Sequence, residues 1–233
     1  MPLTPRRIRR YPGESMGGAD LQHVDVDRRG LVGDRWYAGV DDDGKLASGK
    51  SSRRFRRHDA VFEHRATTRS DGAVEVSWGG GSATVEDPVL DAHLSEAMGA
   101  MVRVLPETST PHFDSGLVSL VGSATLAWCE ERWGVAADPR RLRANLVVET
   151  DEPFVEDDWV GRPVAVGEVR LAVAERIPRC RMIDIDQDGA IAPGDGWLKR
   201  LAAERDTCAA VYLDVERGGA LRVGDEVVVG PLG

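Results

Sequence analysis

VAVGEVRLAVAERIPRC, residues 164–180, alternates branched apolar side chains with small or charged ones around a glycine. Alternation at period two puts one set of side chains on each face of an extended chain, and Val-Gly-Glu supplies a tight turn feeding a half-buried strand. Pro178 ends that strand, because proline has no N–H to give a ladder. LRVGDEVVV, residues 221–229, uses the same device, and turn chemistry accounts for the likeness without an internal duplication. Outward from this stretch the pattern recurs in LQHVDVD (21–27), ANLVVE (144–149) and AVYLDVE (210–216). The turns DDDG (41–44) and GGG (79–81), each between short alternating runs, read as hairpins.

Helices are fewer. DPVLDAHLSEAMG (87–99) spaces Val89, Leu90, Leu94, Ala97 and Met98 along one face and stops at Gly99. GSATLAWCEERWG (122–134) places Ser123 as N-cap and stacks Leu126, Cys129 and Trp133 before Gly134. DGWLKRLAAERD (195–206) reads as a third helix capped by Asp195. Many short strands with three helices predict an α+β, β-rich protein built around barrel-like β structure. A lobe boundary is expected at residue 88, dividing residues 1–88 from residues 89–233.

The 233 residues and 25.3 kDa suffice for a substantial core without staples. Three cysteines at positions 129, 180 and 208, with no CxxC pair, exclude a disulfide framework or a structural zinc motif. The basic start MPLTPRRIRR has no apolar segment behind it, and no apolar run reaches the length of a membrane span. A cytoplasmic, non-membrane protein is the expectation. A net charge of −9 argues against nucleic acid, whose phosphates require a positive field.

Three constellations carry chemistry. Cys129 falls on an apolar helix face and Cys208 precedes a strand, so both read as core thiols. Cys180 sits between Arg179 and Arg181 just after Pro178. Flanking guanidiniums favour thiolate, the form that attacks electrophiles and binds soft metals, but in an extended segment they point away from the sulfur. Local sequence leaves Cys180 open between packed thiol, nucleophile and ligand. GKSSRRFRRH (49–58) is basic with one aromatic residue, too few for a single-strand stacking platform, which leaves a solvated flank or a small-anion pocket. Arg143 and Asn145, two apart at a strand start, would share a face in extended geometry and bind one planar polar ligand together. The five histidines show no metal-ligand spacing, and no GxSxG, Walker or GxGxxG pattern occurs.

Taken in order, the segments YPGES (11–15), RGLVGDRW (29–36), RLRANLVV (141–148), PFVEDDWVG (153–161), AVGEVRLAV (165–173), IPRC followed by IDID (177–180, 183–186) and VGDEVVV (223–229) resemble the MOSC family. That domain is named for the C-terminal region of molybdenum cofactor sulfurases, and the order is similar to its amidoxime-reducing branch. The resemblance implies a MOSC-type β-barrel with a smaller N-terminal β lobe, a few peripheral helices and a cofactor pocket between the lobes. It implies that the Cys180 sulfur binds molybdenum. Ser15 and Arg35 match positions that hold the cofactor's phosphate, and Ser115, Arg143 and Asn145 match positions that line the pterin. Asp186 matches the aspartate after the cysteine, read here as a proton-handling group with a turn cap as the alternative.

The departures are specific. Glu14 stands where the family has lysine, with Lys50 or Arg53 available to compensate. Ile177 replaces the first motif cysteine, Asp184 a threonine and Gln187 a proline. The resemblance implies a molybdenum-cofactor oxidoreductase acting on N-hydroxylated or N-oxide-type small molecules. An external ferredoxin- or flavin-reductase-like donor would supply electrons, since three dispersed cysteines cannot hold an iron–sulfur cluster. The alternatives are a carrier of cofactor or sulfur on Cys180, and a metal-free enzyme with Cys180 as nucleophile.

Overall fold

The computed structural model describes residues 2–189, 191–192 and 194–232. Its largest element is an eight-stranded sheet. From edge to edge it runs Val227–Val229, Pro163–Val166, Val169–Pro178, Cys208–Arg217, Val118–Gly122, Leu146–Val148, Pro5–Arg10 and Ala19–Leu21. The turn at Gly167 joins Pro163–Val166 antiparallel to Val169–Pro178, with Val166 opposite Val169, as the alternation predicts. Gly167 adopts φ +53°, a conformation that costs glycine nothing. Among the described residues the pairings run between two edges, and the only parallel pair in this sheet joins Val118–Gly122 to Leu146–Val148.

Both faces of this sheet are covered. On one, Val24, Val26, Leu31 and Leu221 from a three-stranded sheet (Gly219–Arg222, His23–Asp27, Gly30–Leu31) pack on Leu120, Leu146, Val164, Leu171 and Leu213. On the other, α2 (Ser123–Trp133) and α3 (Trp197–Glu204) bury Leu126, Cys129, Trp133, Trp197 and Leu201 against Val121, Val147, Ile177 and Ala210. A third core gathers Phe62, Val76, Leu90, Leu94 and Val104 around α1 (Pro88–Met98) and includes Met16. Both expected hairpins form, Val74–Trp78 with Gly81–Thr84 and Tyr37–Asp41 with Leu46–Ser48.

Three local expectations need correction. Helix α1 has the expected Asp87 cap and left-handed Gly99, but Val89 is exposed, so its buried stripe is the narrower Leu90 and Leu94. Helix α2 is capped by Gly122, and the Ser123 hydroxyl instead accepts from the Thr150 N–H at 3.1 Å. Helix α3 begins at Gly196, and its first N–H groups are met by Asp184, which accepts from Trp197 N at 2.8 Å and Leu198 N at 3.2 Å. Asp195 pairs with Arg141 instead.

Strand pairing crosses residue 88 repeatedly. Pro5–Arg10 lies beside Leu146–Val148, His23–Asp27 beside Gly219–Arg222, and Val102–Pro106 beside Tyr37–Asp41. The two halves of the chain are therefore interleaved around the site. Among the described residues no helix is long and apolar enough to cross a membrane.

Candidate functional site

A cleft of about 670 Å³, counting its open mouth, lies where these crossing segments meet. Its wall includes Glu14, Arg35, Ser119, Arg141, Arg143, Asn145, Arg179, Cys180 and Tyr212.

Cys180 follows directly on the strand Val169–Pro178 and has extended backbone, φ −122° and ψ −177°. It is half-buried, on the cleft wall. Its carbonyl accepts from Ile183 N at 3.2 Å, turning the chain into a short 3-10 helix, Arg181–Asp184. The flanking arginines, which would share a face in an extended chain, part because the 3-10 turn begins at Arg181. Arg181 reaches across to Asp59, donating to both carboxylate oxygens at 2.7 and 2.9 Å, and so pins this turn to the segment Asp59–Glu63. Arg179 donates to the backbone carbonyls of Ala209 at 2.8 Å and Leu142 at 2.9 Å, and its Nη2 is sealed from solvent with no acceptor.

Arg143 is not in the strand. It closes a short 3-10 helix, Pro139–Leu142, in left-handed conformation at φ +49°, and the strand starts at Leu146. The extended-pair argument for Arg143 and Asn145 therefore fails, although both side chains reach the cleft. The Arg143 guanidinium lies 4.4 Å from the Tyr11 ring centroid and donates from Nη1 to Met16 O at 2.7 Å. Its Nη2 is buried without a partner. Asn145 is occupied structurally: its amide oxygen accepts from Ser119 N and Oγ at 3.1 and 3.0 Å, and Nδ2 donates to Arg9 O at 3.1 Å.

Electrostatics separate the guanidiniums into two kinds. Burial works against the charge of Arg35, but Asp34 and Glu14 outweigh it and hold Arg35 above its ordinary value. Burial lowers Arg143 and brings Arg179 down to about 10, because neither has a carboxylate hydrogen-bonded to it. A buried cation with an unmet N–H is costly, and an anion delivered to it is correspondingly favoured. Arg141, fully buried, already has Asp195 and stacks 4.8 Å from the Trp197 centroid.

The other expected residues are distributed unevenly. Ser15 is fully buried at φ +60°, its Oγ 3.0 Å from both Glu14 Oε1 and Ser48 Oγ. Lys50 is engaged by Asp114 and lies over the Phe55 ring, and Arg53 is exposed, so neither stands in for the missing lysine. Ser115 is exposed and off the cleft wall, between the lining residues Asp114 and Gly116. Asp186 is exposed, with Oδ1 accepting from Ile191 N at 3.2 Å, which is the turn-cap reading. Gln187 ties the turn together, donating to Met182 O at 3.1 Å and Arg141 O at 3.3 Å.

Residue-by-residue reading missed Ser119, Arg141, Tyr212 and the unmet Nη2 of Arg179. Arg141 and Arg179 adjoin residues already singled out, whereas Tyr212 gave no signal. A Cβ on Gly116 would lie 2.3 Å from the Tyr212 ring, so that glycine is needed for the ring to pack there. The basic stretch 49–58 is largely neutralised on the surface, Arg56 by Asp41 and Asp43 and Arg57 by Asp59. Among the described residues no group of three or more His, Cys, Asp or Glu side chains is arranged to hold a metal ion.

The protein is of the α+β class, a mixed, doubly covered sheet with a cleft whose wall carries a thiol and two guanidiniums that each have one unmet N–H group. Residues 112–228 match the model of the MOSC domain, half of the chain, and the chain belongs to that family. Over 51 residues it is 41% identical to a molybdenum cofactor sulfurase of Danio rerio, covering 22% of this chain and 6% of that protein. Over 126 residues it is 28% identical to mitochondrial amidoxime reducing component 2 of Rattus norvegicus, covering 49% of this chain and 37% of that protein. Both relatives extend well beyond the matched stretches. Among solved structures, the YUAD protein from Bacillus subtilis aligns with a TM-score of 0.54 at 15% identity, covering 98% of this chain and 96% of that one, a likeness of fold.

Proposed function

We propose that the cleft binds a molybdenum cofactor with Cys180 as the protein's ligand to the metal, and that the protein reduces N-hydroxylated or N-oxide-type small molecules. The observation that carries this is one wall bearing both a half-buried thiol and two guanidiniums, Arg143 and Arg179, each with a solvent-sealed N–H lacking an acceptor. Those groups fit a sulfur-coordinating anionic group. The relatedness to an amidoxime reducing component supports the substrate class.

When bound, the cofactor supplies a two-electron centre able to take an oxygen atom from such a substrate. The chain's residues bind and orient. Arg143 and Arg179 neutralise negative charge at the wall that carries Cys180. The Arg181–Asp59 pair fixes the turn that carries the thiol, and Tyr212 and Ile177 restrict water along the wall. Electrons come from a separate donor protein.

The test is turnover of an aromatic amidoxime to its amidine, with reduced viologen as electron source, by protein purified from a molybdenum-replete host. Turnover that is abolished in Cys180→Ser supports the reading, and no turnover by molybdenum-loaded protein overturns it. The match to a molybdenum cofactor sulfurase favours a second reading, in which Cys180 carries sulfur or cofactor to another enzyme. A Cys180 persulfide in intact-mass spectra, without amidoxime turnover, is its signature.

A further inference from the structure

One end of the cleft is lined by Glu14 and Arg35, with the buried Ser15 Oγ beside the Glu14 carboxylate. Two of the residues that build it, Ser15 and Arg35, hold left-handed backbone at φ +60° and +52°. Such conformations are strained for a residue with a side chain and persist where surrounding structure enforces them. Ser15 Oγ and the Arg35 guanidinium are donors facing one point between them, whereas Ser48 Oγ donates to Met182 Sδ at 3.7 Å.

That point is filled by the protein itself. Glu14, 4% exposed, lies with Oε2 3.3 Å from Arg35 Nε and Oε1 3.0 Å from Ser15 Oγ. Arg35 also pairs with Asp34, so its positive charge faces two carboxylates. Neither Lys50, held by Asp114, nor the exposed Arg53 adds a cation. A dianion arriving here would meet a buried carboxylate at close range in a region of weak screening, and like charges so placed repel strongly.

We propose that Glu14 is a specificity-determining residue: its carboxylate occupies the position between Ser15 Oγ and the Arg35 guanidinium, so this end of the cleft rejects a phosphate monoester and accepts a ligand terminus that is neutral or cationic. The inference rests on the reading of the cleft as the ligand site. It places the ligand's anionic contact at Arg143 and Arg179, beside Cys180, where N–H groups remain unmet.

Titration calorimetry with inorganic phosphate at pH 8 tests this on wild type, Glu14→Gln, Glu14→Ala and each variant combined with Arg35→Gln, with folding followed by circular dichroism. Both single variants leave Arg35 on Asp34, so either one that folds reads the same quantity. The expected result is phosphate binding at least tenfold tighter in the Glu14 variants, with the gain lost when Arg35 is also replaced. Equal affinity in wild type and Glu14 variants, or a gain that survives Arg35→Gln, overturns the proposal. Phosphate affinity does not depend on molybdenum, so failure of amidoxime turnover alone would refute the proposed activity and leave this result standing.

Discussion

Replacing Glu156 should separate what its charge does from what its hydrogen bonds do. Glu156 is fully buried in the segment PFVEDDW, and its carboxylate accepts from Gly122 N at 3.0 Å and from Thr125 Oγ1 at 2.9 Å. It therefore caps α2 from 34 residues further along the chain. Glu156→Ala strands an N–H and a hydroxyl in the interior and removes an anion from a helix N-terminus. Hydrogen bonds to charged groups contribute about 1.5–3 kcal/mol each and the dipole contact about 0.3–1 kcal/mol, against relief of a desolvated charge. A net loss of about 3 kcal/mol follows, or about 6–12 °C in Tm for a chain of this size. Glu156→Gln keeps the shape and should cost less than about 1 kcal/mol. Burial raises the Glu156 carboxyl above its ordinary 4.5, so the fold favours the protonated form. That contribution is complete below pH 4.5 and is lost as pH rises through the folded value; the Gln variant should lack this dependence. Urea unfolding across pH measures all three quantities. An Ala variant within 0.5 kcal/mol of wild type, or a Gln variant as damaged as Ala, would refute the reasoning.

Hydrogen bonds from Arg181 pull the Asp59 carboxyl down to about 2 from 3.8, so its stabilisation is present above pH 3.8 and disappears as pH falls towards 2. Both side chains are more than a third exposed, so Asp59→Asn should cost only about 1 kcal/mol by urea unfolding at pH 7 and flatten the acid limb. Burial lowers the His64 ring below 6.5; Nδ1 lies 2.9 Å from Ala60 O and Nε2 3.0 Å from His93 Nε2, with Glu63 nearby. Stability should therefore fall as pH drops below 6.5, and thermal melts of His64→Asn should show less of that fall. Burial pushes the Cys129 thiol up to about 12, so iodoacetamide at pH 8 should modify Cys180 in the native protein and Cys129 only in denaturant, read by peptide mass spectrometry.

Features written locally were legible. The turn at Gly167 and the Asp87 and Gly99 ends of α1 depend on a few adjacent residues, and the structure reproduces them. The Cys180 turn was placed by segment order, since its neighbours alone left three roles open. What was not legible depends on partners distant in sequence. Asp184 caps α3 across a loop, Glu156 caps α2 across a strand, and Arg143, left-handed where its N–H closes the 3-10 turn onto Arg140 O, places its guanidinium on Tyr11 and the Met16 carbonyl. Glu14 was visible as a departure from the family, but its place between Ser15 and Arg35 required the fold. The boundary expected at residue 88 had no local signal behind it, and strand pairing joins segments from both sides of that position.

The most direct test of the account is the molybdenum-to-protein ratio of wild type and Cys180→Ser, purified side by side from a molybdenum-replete host and assayed by plasma mass spectrometry. The account predicts close to one molybdenum per chain in the wild type and less than a tenth of that in the variant. A wild type without molybdenum, or a Cys180→Ser protein that retains it in full, would contradict the assignment of the Cys180 sulfur as the metal's ligand.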